Sequence, residues 1–444
     1  MSNADRTTLQ IVEESTFGTK PGSGFEKVRF TSESLNRSTS TANSAMIRDD
    51  RNIADVVRTN VMANGDIGQE FSVPDSGIQG DLLEASIGAA SQTTVTATVL
   101  NTTAVMNLHV YDASPSGDIP THGFEDDTGT AFSVFAAGEW IRCEPANNTT
   151  ATDPMNALTG SISGGGYFKI KEVTASGGSL ELEGSKITAD DTMLTTGHIR
   201  EEDSNFKNGV AERSFSIEKM FNDLTADEGE SATGMTVGSF NLSVSPESIV
   251  TNTFTFMGKD VQHLNTITAG GSAASTQKIL SAVDNVAGIY IKTGTTGEAA
   301  NLRPLDGVTS FDLTIENNLR TRTEIGELGA QSIGQGSINV SGSLTVYYDE
   351  DSGDIAENIY EGFEDSAISI VLEEAKVNEA KNFVSQGTKN PTPAIIFEMP
   401  KVKITSLTRN ATGTGSDVMA EIGFTAFYDP SPGLDGTVDI HLFT

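Results

Sequence analysis

The chain has 444 residues, a formal charge of −33 at neutral pH, 44 glycines, 7% aromatic residues and a single cysteine. That length implies two domains or more, and the charge excludes a surface that grips nucleic acid or an anionic membrane, since either needs Lys and Arg to meet phosphate. Cys143 has no cysteine partner, so folding does not depend on an oxidising compartment.

Residues 1–25 are polar, and Phe17-Gly18-Thr19-Lys20-Pro21-Gly22-Ser23-Gly24 reads as an extended arm. The opening residues lack the basic-then-apolar order of a signal peptide. No stretch approaches the roughly 18 apolar residues that span a membrane, so the expectation is a soluble protein made in the cytoplasm. A first strand follows at 28–31. Residues 36–64 have no apolar periodicity and carry Arg37, Arg48, Arg51 and Arg58. They read as a loop, and a loop of roughly 20 residues or more inside a compact domain tends to be functional. Beyond it Ile67, Phe71 and Val73 alternate with Asp66, Glu70 and Ser72, the period of a half-buried strand. Asp75-Ser76-Gly77 breaks that strand and offers a helix N-cap, after which Ile78, Leu82 and Ala85 share a helical face.

Short strands at 94–99, 140–143, 167–171 and 179–182, punctuated by glycines, suggest a small β-barrel between about residues 90 and 208. Trp140 reads as part of its core and Glu125-Asp126-Asp127 as an acidic loop. A strand at 214–218 and a hairpin within 235–257 follow. Residues 263–305 are rich in Gly, Ser, Thr and Ala and read as a linker, with 279–291 open between strand and short helix. Then the order recurs. A strand at 308–315 precedes a charged segment, 317–335, with Arg320 and Arg322. In the next strand Ile338, Val340, Leu344 and Val346 alternate with Asn339, Ser341, Ser343 and Thr345. After Asp349-Glu350-Asp351-Ser352-Gly353 a helix carries Ile355, Ile359 and Phe363 four apart, and a strand at 367–371 and a hairpin within 399–428 end the series. Strand, long loop, strand, helix, strand, hairpin thus occurs twice, with Gly65 set against Gly336. The expected fold is mainly β: two tandem β-sandwich or barrel domains, each flanked by one helix, with a small β-barrel module inserted in the first. The boundaries are an arm at 1–25, a first domain at 26–262 interrupted at about 90–208, a linker at 263–305 and a second domain at 306–444. Because the second domain manages without the module, the module is expected to be dispensable and to lie outside.

Catalytic constellations are missing from the sequence. The five histidines show no metal-ligand spacing, and Gly234 is followed by Met235 rather than the lysine of a phosphate loop. The run from Asp349 has its glycine at position five and Tyr360 at position twelve, which argues against a calcium loop. The expectation is a protein that is not an enzyme and takes no cofactor or metal.

The succession Phe30-Thr31-Ser32-Glu33-Ser34-Leu35, Ile47-Arg48-Asp49-Asp50-Arg51, Gly65 to Phe71 and Leu82-Leu83-Glu84-Ala85 resembles the tail tube proteins of long, non-contractile-tailed bacteriophages. Gly138 to Arg142 with Gly166 to Ile170 is similar to the small β-module embedded in some of them, and Ser214 to Lys219 and Phe254 to Asp260 continue the likeness. The resemblance implies packed β-sheets with a flanking helix. It also implies ring oligomers whose sheets join between subunits, and loops that bind the next ring. The expected partners are other copies of the chain, the tape-measure, terminator and distal tail proteins, and double-stranded DNA that passes without specific binding; the expected location is the virion. Six domains per ring is the family plan, so two domains per chain suggest a trimer with pseudo-sixfold symmetry. Arg37, Arg48, Arg51, Arg58, Arg320 and Arg322 are the candidates for contacts between subunits, and Asp66 and Glu70 for the lumen. A tube-terminating or distal ring protein is the alternative, and a β-rich surface adhesin a more distant one.

Overall fold

The computed structural model describes residues 4–74, 77–90, 99–101, 108–111, 123–126, 131–144, 166–174, 177–183, 192–194, 198–224, 228–264, 268, 271–294, 302–349, 353, 355–374, 393–411, 417–430 and 436–443. Eight antiparallel strands run side by side across the molecule. Their order is Asn36–Asn43, Val56–Glu70, Thr251–Gly258, Glu228–Val244, Val308–Glu316, Asn339–Tyr347, Met419–Ala426 and Ala394–Asn410. The first four lie before residue 264 and the last four after residue 302, so within this layer one pairing, between Glu228–Val244 and Val308–Glu316, joins the two halves of the chain.

Behind this layer each half builds a second. In the first half it comprises Thr7–Glu13, Phe215–Phe221, the N-terminal part of Glu228–Val244 and Asp260–Leu264. In the second it comprises Val286–Ile291, Ser366–Glu373, the N-terminal part of Ala394–Asn410 and Asp439–Phe443. The two 17-residue strands belong to both layers, and register shifts between Val237 and Ser239 and between Ile404 and Ser406 let them turn the corner, as β-bulges do. Between the layers lies one continuous apolar core. Phe240 stacks on Phe397 at 5.9 Å and Phe71 meets Phe397 at 6.1 Å, so rings from both halves meet in it. Helix α1, Ile78–Ser86, buries Ile78, Leu82, Leu83 and Ala85 there. Its last turn is held from the other half, because buried Asn317 Nδ2 donates to the carbonyl of Ser86 at 2.9 Å and of Val237 at 3.0 Å. Its outer side is tied by Arg213, which pairs with Glu13 at 2.7 Å, Asp81 at 2.6 Å and Glu84.

Several sequence expectations change. Residues 1–25 are not an arm throughout: Thr7–Glu13 is a strand paired on both sides, with Leu9 and Ile11 fully buried. It reads as polar because Gln10 is buried too, donating to Glu218 at 2.5 Å, so the apolar-polar alternation is lost. The span 263–305 is no free linker. Val286–Ile291 pairs with Ser366–Glu373, and Leu280 and Leu302 are buried. Residues 36–64 form a long hairpin rather than a loop. Its strand Asn36–Asn43 is exposed along its whole length, so no apolar alternation was needed and none marked it. Arg320–Arg322 and Ser332–Gly334 make a shorter hairpin in the second half. The second-half helix is a seven-residue π-helical segment, Ile355–Glu361, that buries Ile355 and Ile359, while Phe363 beyond it is 63% exposed at φ 51°. The expected N-cap residues Asp75 and Ser76, and the strand at 94–98, lie outside the described residues; Gly77 stands at the helix N-cap.

Residues between 99 and 201 form a separate antiparallel sheet of eight strands. Its order is Thr192–Leu194, Leu108–Tyr111, Gly123–Asp126, Ser179–Glu183, Tyr167–Val173, Trp140–Glu144, His198–Glu201 and Val99–Asn101. Among the described residues its two end strands are not paired to each other, so the barrel expected there is an open order, and Glu125-Asp126 sits on a strand rather than in a loop. The chain enters and leaves through a narrow neck, where Gly209 N donates to Ile87 O at 3.0 Å and Ala211 N to Gly88 O at 2.9 Å. Phe124, Phe132, Phe168, Ile170 and Leu180 fill its core. Trp140 does not. It packs with Tyr167 against Tyr290, Val371, Ile396 and Phe443 of the second half.

Candidate assembly surfaces and a buried ionic junction

The strand pairings place one face of the eight-stranded layer toward solvent, and cross-strand partners share that face. One row across it is Glu70, Thr251, Ser243, Asp312, Ser343, Gly423 and Ser406. A second runs Asp66, Thr255, Ser239, Glu316 and Asn339. Between them lie Thr253, Asn241, Thr314, Ser341, Thr425 and Lys403, the last paired to Asp365 at 2.7 Å. Hydroxyls, amides and carboxylates make up nearly all of this face, while Ile67, Phe254, Phe240, Ile315 and Val340 of the same strands point into the core. Asp66 is exposed and Glu70 partly so, and Asp312, Glu316 and Glu421 share their face. Sequence reasoning named the first two acids and missed the other three, because only the pairing of the halves brings them into one surface.

The six arginines lie on the two hairpins: Arg37 at the base of the first, Arg48, Arg51 and Arg58 toward its tip, and Arg320 and Arg322 on the second. Arg37 pairs with Asp260 at 2.8 Å and Arg322 reaches Glu212 at 3.5 Å. Arg48 pairs with Asp50 at 2.6 Å and holds that carboxyl well below its usual range. Arg51 takes a left-handed φ of 60° at the turn, and Arg58 and Arg320 are exposed. The hairpin ends also expose Ile47, Met46, Ile53 and Ile325, apolar side chains with no cover in the single chain.

A second site was not foreseen. The face of Ser366–Glu373, 394–400 and Asp439–Phe443 turned away from the main core is covered by the separate sheet, and charged groups meet there out of water. Lys169 pairs with Glu398, whose other oxygen accepts from Trp140 Nε1 at 2.6 Å and faces His441 Nε2 at 3.3 Å. His441 Nδ1 meets Glu202 at 2.6 Å. Tyr167 donates to Glu373 at 3.0 Å, and Arg142 lies over the Tyr167 and Phe443 rings. Burial would push Glu398 up, but Lys169 and His441 overcome it and lower it to about 2. Burial would lower His441, but the carboxylates of Glu202 and Glu398 raise it to about 10. Burial, with Glu398 opposite, raises Asp439 to about 6. The first half has a smaller relative of this pair: Glu218, opposite Ser231, takes Lys20 at 2.6 Å, while Glu398 stands opposite Ser369. The sequence signal was the near-continuous apolar runs 367–372 and 394–397, apolar enough to be covered on both faces, and both strands are buried along these runs.

The pH dependence follows from these directions. His441 is raised, so its contribution is full below the ordinary imidazole value of about 6.5 and is lost as pH rises through about 10. Glu398 is depressed, so its contribution is full above the ordinary carboxyl value and is lost as pH falls through about 2. Asp439 opposes: its burial costs stability as pH rises from the ordinary carboxyl value to about 6, and the cost stays constant above that. Emission of Trp140, the only tryptophan, should therefore hold steady between about pH 6 and 9 and shift red as pH rises through about 10. In the His441→Gln variant that alkaline step should vanish. A wild-type spectrum unchanged to about pH 11 would show that the imidazolium does not hold the junction.

Among the described residues no helix is long and apolar enough to cross a membrane, and no group of three or more His, Cys, Asp and Glu could hold a metal ion. No curated protein matches the chain. A family model described as phage tail tube protein matches residues 4–426, nearly the whole of this β architecture. The chain belongs to the phage tail tube protein family, whose members are structural, non-catalytic components of the virion tail.

Proposed function

We propose that the chain forms rings that stack into the tail tube and conduct DNA during ejection. The observation that carries this reading is the eight-stranded layer: one polar face spans both halves, and its two lateral edges, Asn36–Asn43 and 403–410, are unpaired among the described residues. An unpaired edge is a template for another chain, and closing a ring removes every such edge.

The two halves are copies of one unit. Strands Asn36–Asn43, Val56–Glu70, Thr251–Gly258 and Glu228–Val244 neighbour one another in the same order as Val308–Glu316, Asn339–Tyr347, Met419–Ala426 and Ala394–Asn410. The register shift between Phe215 and Ile217 recurs between Ser366 and Ile368. In this alignment Gly65, opposite Phe256, matches Gly342, opposite Phe424, rather than Gly336. Gly336 lies an even number of residues from Gly342, so the in-out alternation is the same in either alignment. The first unit then begins at Thr7–Glu13 and the second at Val286–Ile291, so the presumed arm and linker each hold a first strand, and the 99–201 sheet is an insertion in the first unit. Two units per chain make three chains a pseudo-sixfold ring. The polar face lines the bore, where Asp66, Glu70, Asp312, Glu316 and Glu421 repel phosphate. The hairpins with their arginines and bare apolar tips meet the next ring, and tape-measure, terminator and distal proteins would contact the bore and the tube ends.

Negative-stain microscopy of the concentrated protein tests the reading: tubes or stacked rings are expected, and a monodisperse monomer at high concentration would overturn it. Changing Asp66 and Glu70 to lysine should leave tubes intact and slow DNA ejection at low salt, with the defect shrinking as salt screens the charges. Unchanged low-salt ejection would remove these two residues from the bore.

A further inference from the structure

The pairing between the halves is a pattern for the pairing between chains. Inside the chain Ser239 faces Glu316, Asn241 faces Thr314 and Leu242 faces Leu313. The shift at Val237 and Ser239 recurs at Ile404 and Ser406, so Ser406 and Thr408 stand where Ser239 and Asn241 stand. On the other edge Asn36 lies opposite Asn64 as Thr314 lies opposite Ser341, so Asn36 stands where Thr314 stands. Both edges are bare in the single chain: Asn36–Asn43 is exposed at every residue, and 405–410 at every residue but Leu407, which is partly buried.

Resting on the tube reading above, we infer that a second copy of this chain seats its 406–410 edge on residues 34–38, with Ser38 opposite Ser406 and Asn36 opposite Thr408, and that Arg37 and Arg409 keep this joint from forming prematurely. The guard role rests on one difference between the seams. On the core side the inner seam sets Phe240 against Ile315 and Leu242 against Leu313, all buried. At the matching places the outer seam sets Leu407 against Arg37 and Leu35 against Arg409. Both arginines already have occupations in the free chain, Arg37 with Asp260 at 2.8 Å and Arg409 donating to the Tyr348 hydroxyl at 3.3 Å. Charges directed toward the core face of an edge discourage casual strand pairing, and burying them in a ring requires them to keep or exchange a partner. The inner seam closes as the chain folds, and the outer one only when many copies meet.

Full-length protein carrying Ser38→Cys and Ser406→Cys, and separately Asn36→Cys and Thr408→Cys, is assembled and oxidised. Asn241→Cys with Thr314→Cys serves as the inner-seam control, since those side chains already touch at 2.7 Å. The outer pairs should give species linked between chains, up to a closed ring, and the control a link within one chain. Tubes that form with neither outer pair linked, or with linkage only at a shifted pair such as Ser34→Cys with Ser406→Cys, would overturn the register while leaving the tube intact. Failure of every variant and of wild type to assemble would overturn the tube reading and the seam with it. Arg37→Ile with Arg409→Leu should lower the concentration at which tubes form; an unchanged threshold would remove the guard role.

Discussion

Deleting residues 90–206 and joining Ala89 to Lys207 through a short Gly-Ser linker should abolish soluble, cooperatively folded protein. The sequence alone suggests the opposite, because the second half repeats the strand order without such an insertion. In the structure the inserted sheet is the cover of that second half. Without it Tyr290, Val371, Ile396 and Phe443 face water, and Asp439–Phe443 loses its neighbour Ser204–Lys207. Each large apolar side chain returned to water costs about 1.5–3 kcal/mol, and a folded protein holds only about 5–15 kcal/mol in reserve. The charged groups are not the main loss here, since opening the face also lets water solvate Glu398 and His441. Strands left bare on an apolar face would also pair with other chains. A deletion variant that unfolds cooperatively at the wild-type temperature would show that the cover is ornamental.

Replacing Lys169 by methionine should destabilise the fold by about 3–5 kcal/mol. Here the cover stays in place and Glu398 remains buried with its main cationic partner gone. Trp140 and His441 still hold its second oxygen, so the variant should fold but melt earlier. Glu398→Gln added to it removes the stranded charge and should restore part of the loss, the sign of a coupled pair. Denaturant unfolding of the two single variants and the double variant measures this. Additive losses would mean that the pair is not coupled. By contrast, removing the exposed pair of Arg48 and Asp50 should leave the denaturant midpoint unchanged, because solvent already screens it.

The local chemistry of the chain was legible in its residues. Alternation from Ile338 to Val346 marked a strand that carries the core, since a half-buried strand must write its two faces into its sequence, whereas the alternation from Ile67 runs past the end of Val56–Glu70 and its outward Ser72 is buried. Residues around Leu82 marked the helix. The order of motifs led to the tail tube family that the match over 4–426 shows. Three things were decided only in three dimensions. Thr7–Glu13 and Asn36–Asn43 are strands by virtue of their neighbours: one buries a glutamine beside a glutamate, the other is exposed throughout, and neither leaves an alternating trace. The acidic face exists only because Glu228–Val244 pairs with Val308–Glu316 and sets Asp66, Glu70, Asp312 and Glu316 on one surface. The junction of Lys169, His441, Glu202 and Glu398 gathers residues more than two hundred positions apart. A buried charge is tolerable only where its partner is, and no local pattern in a sequence says where a distant partner will be.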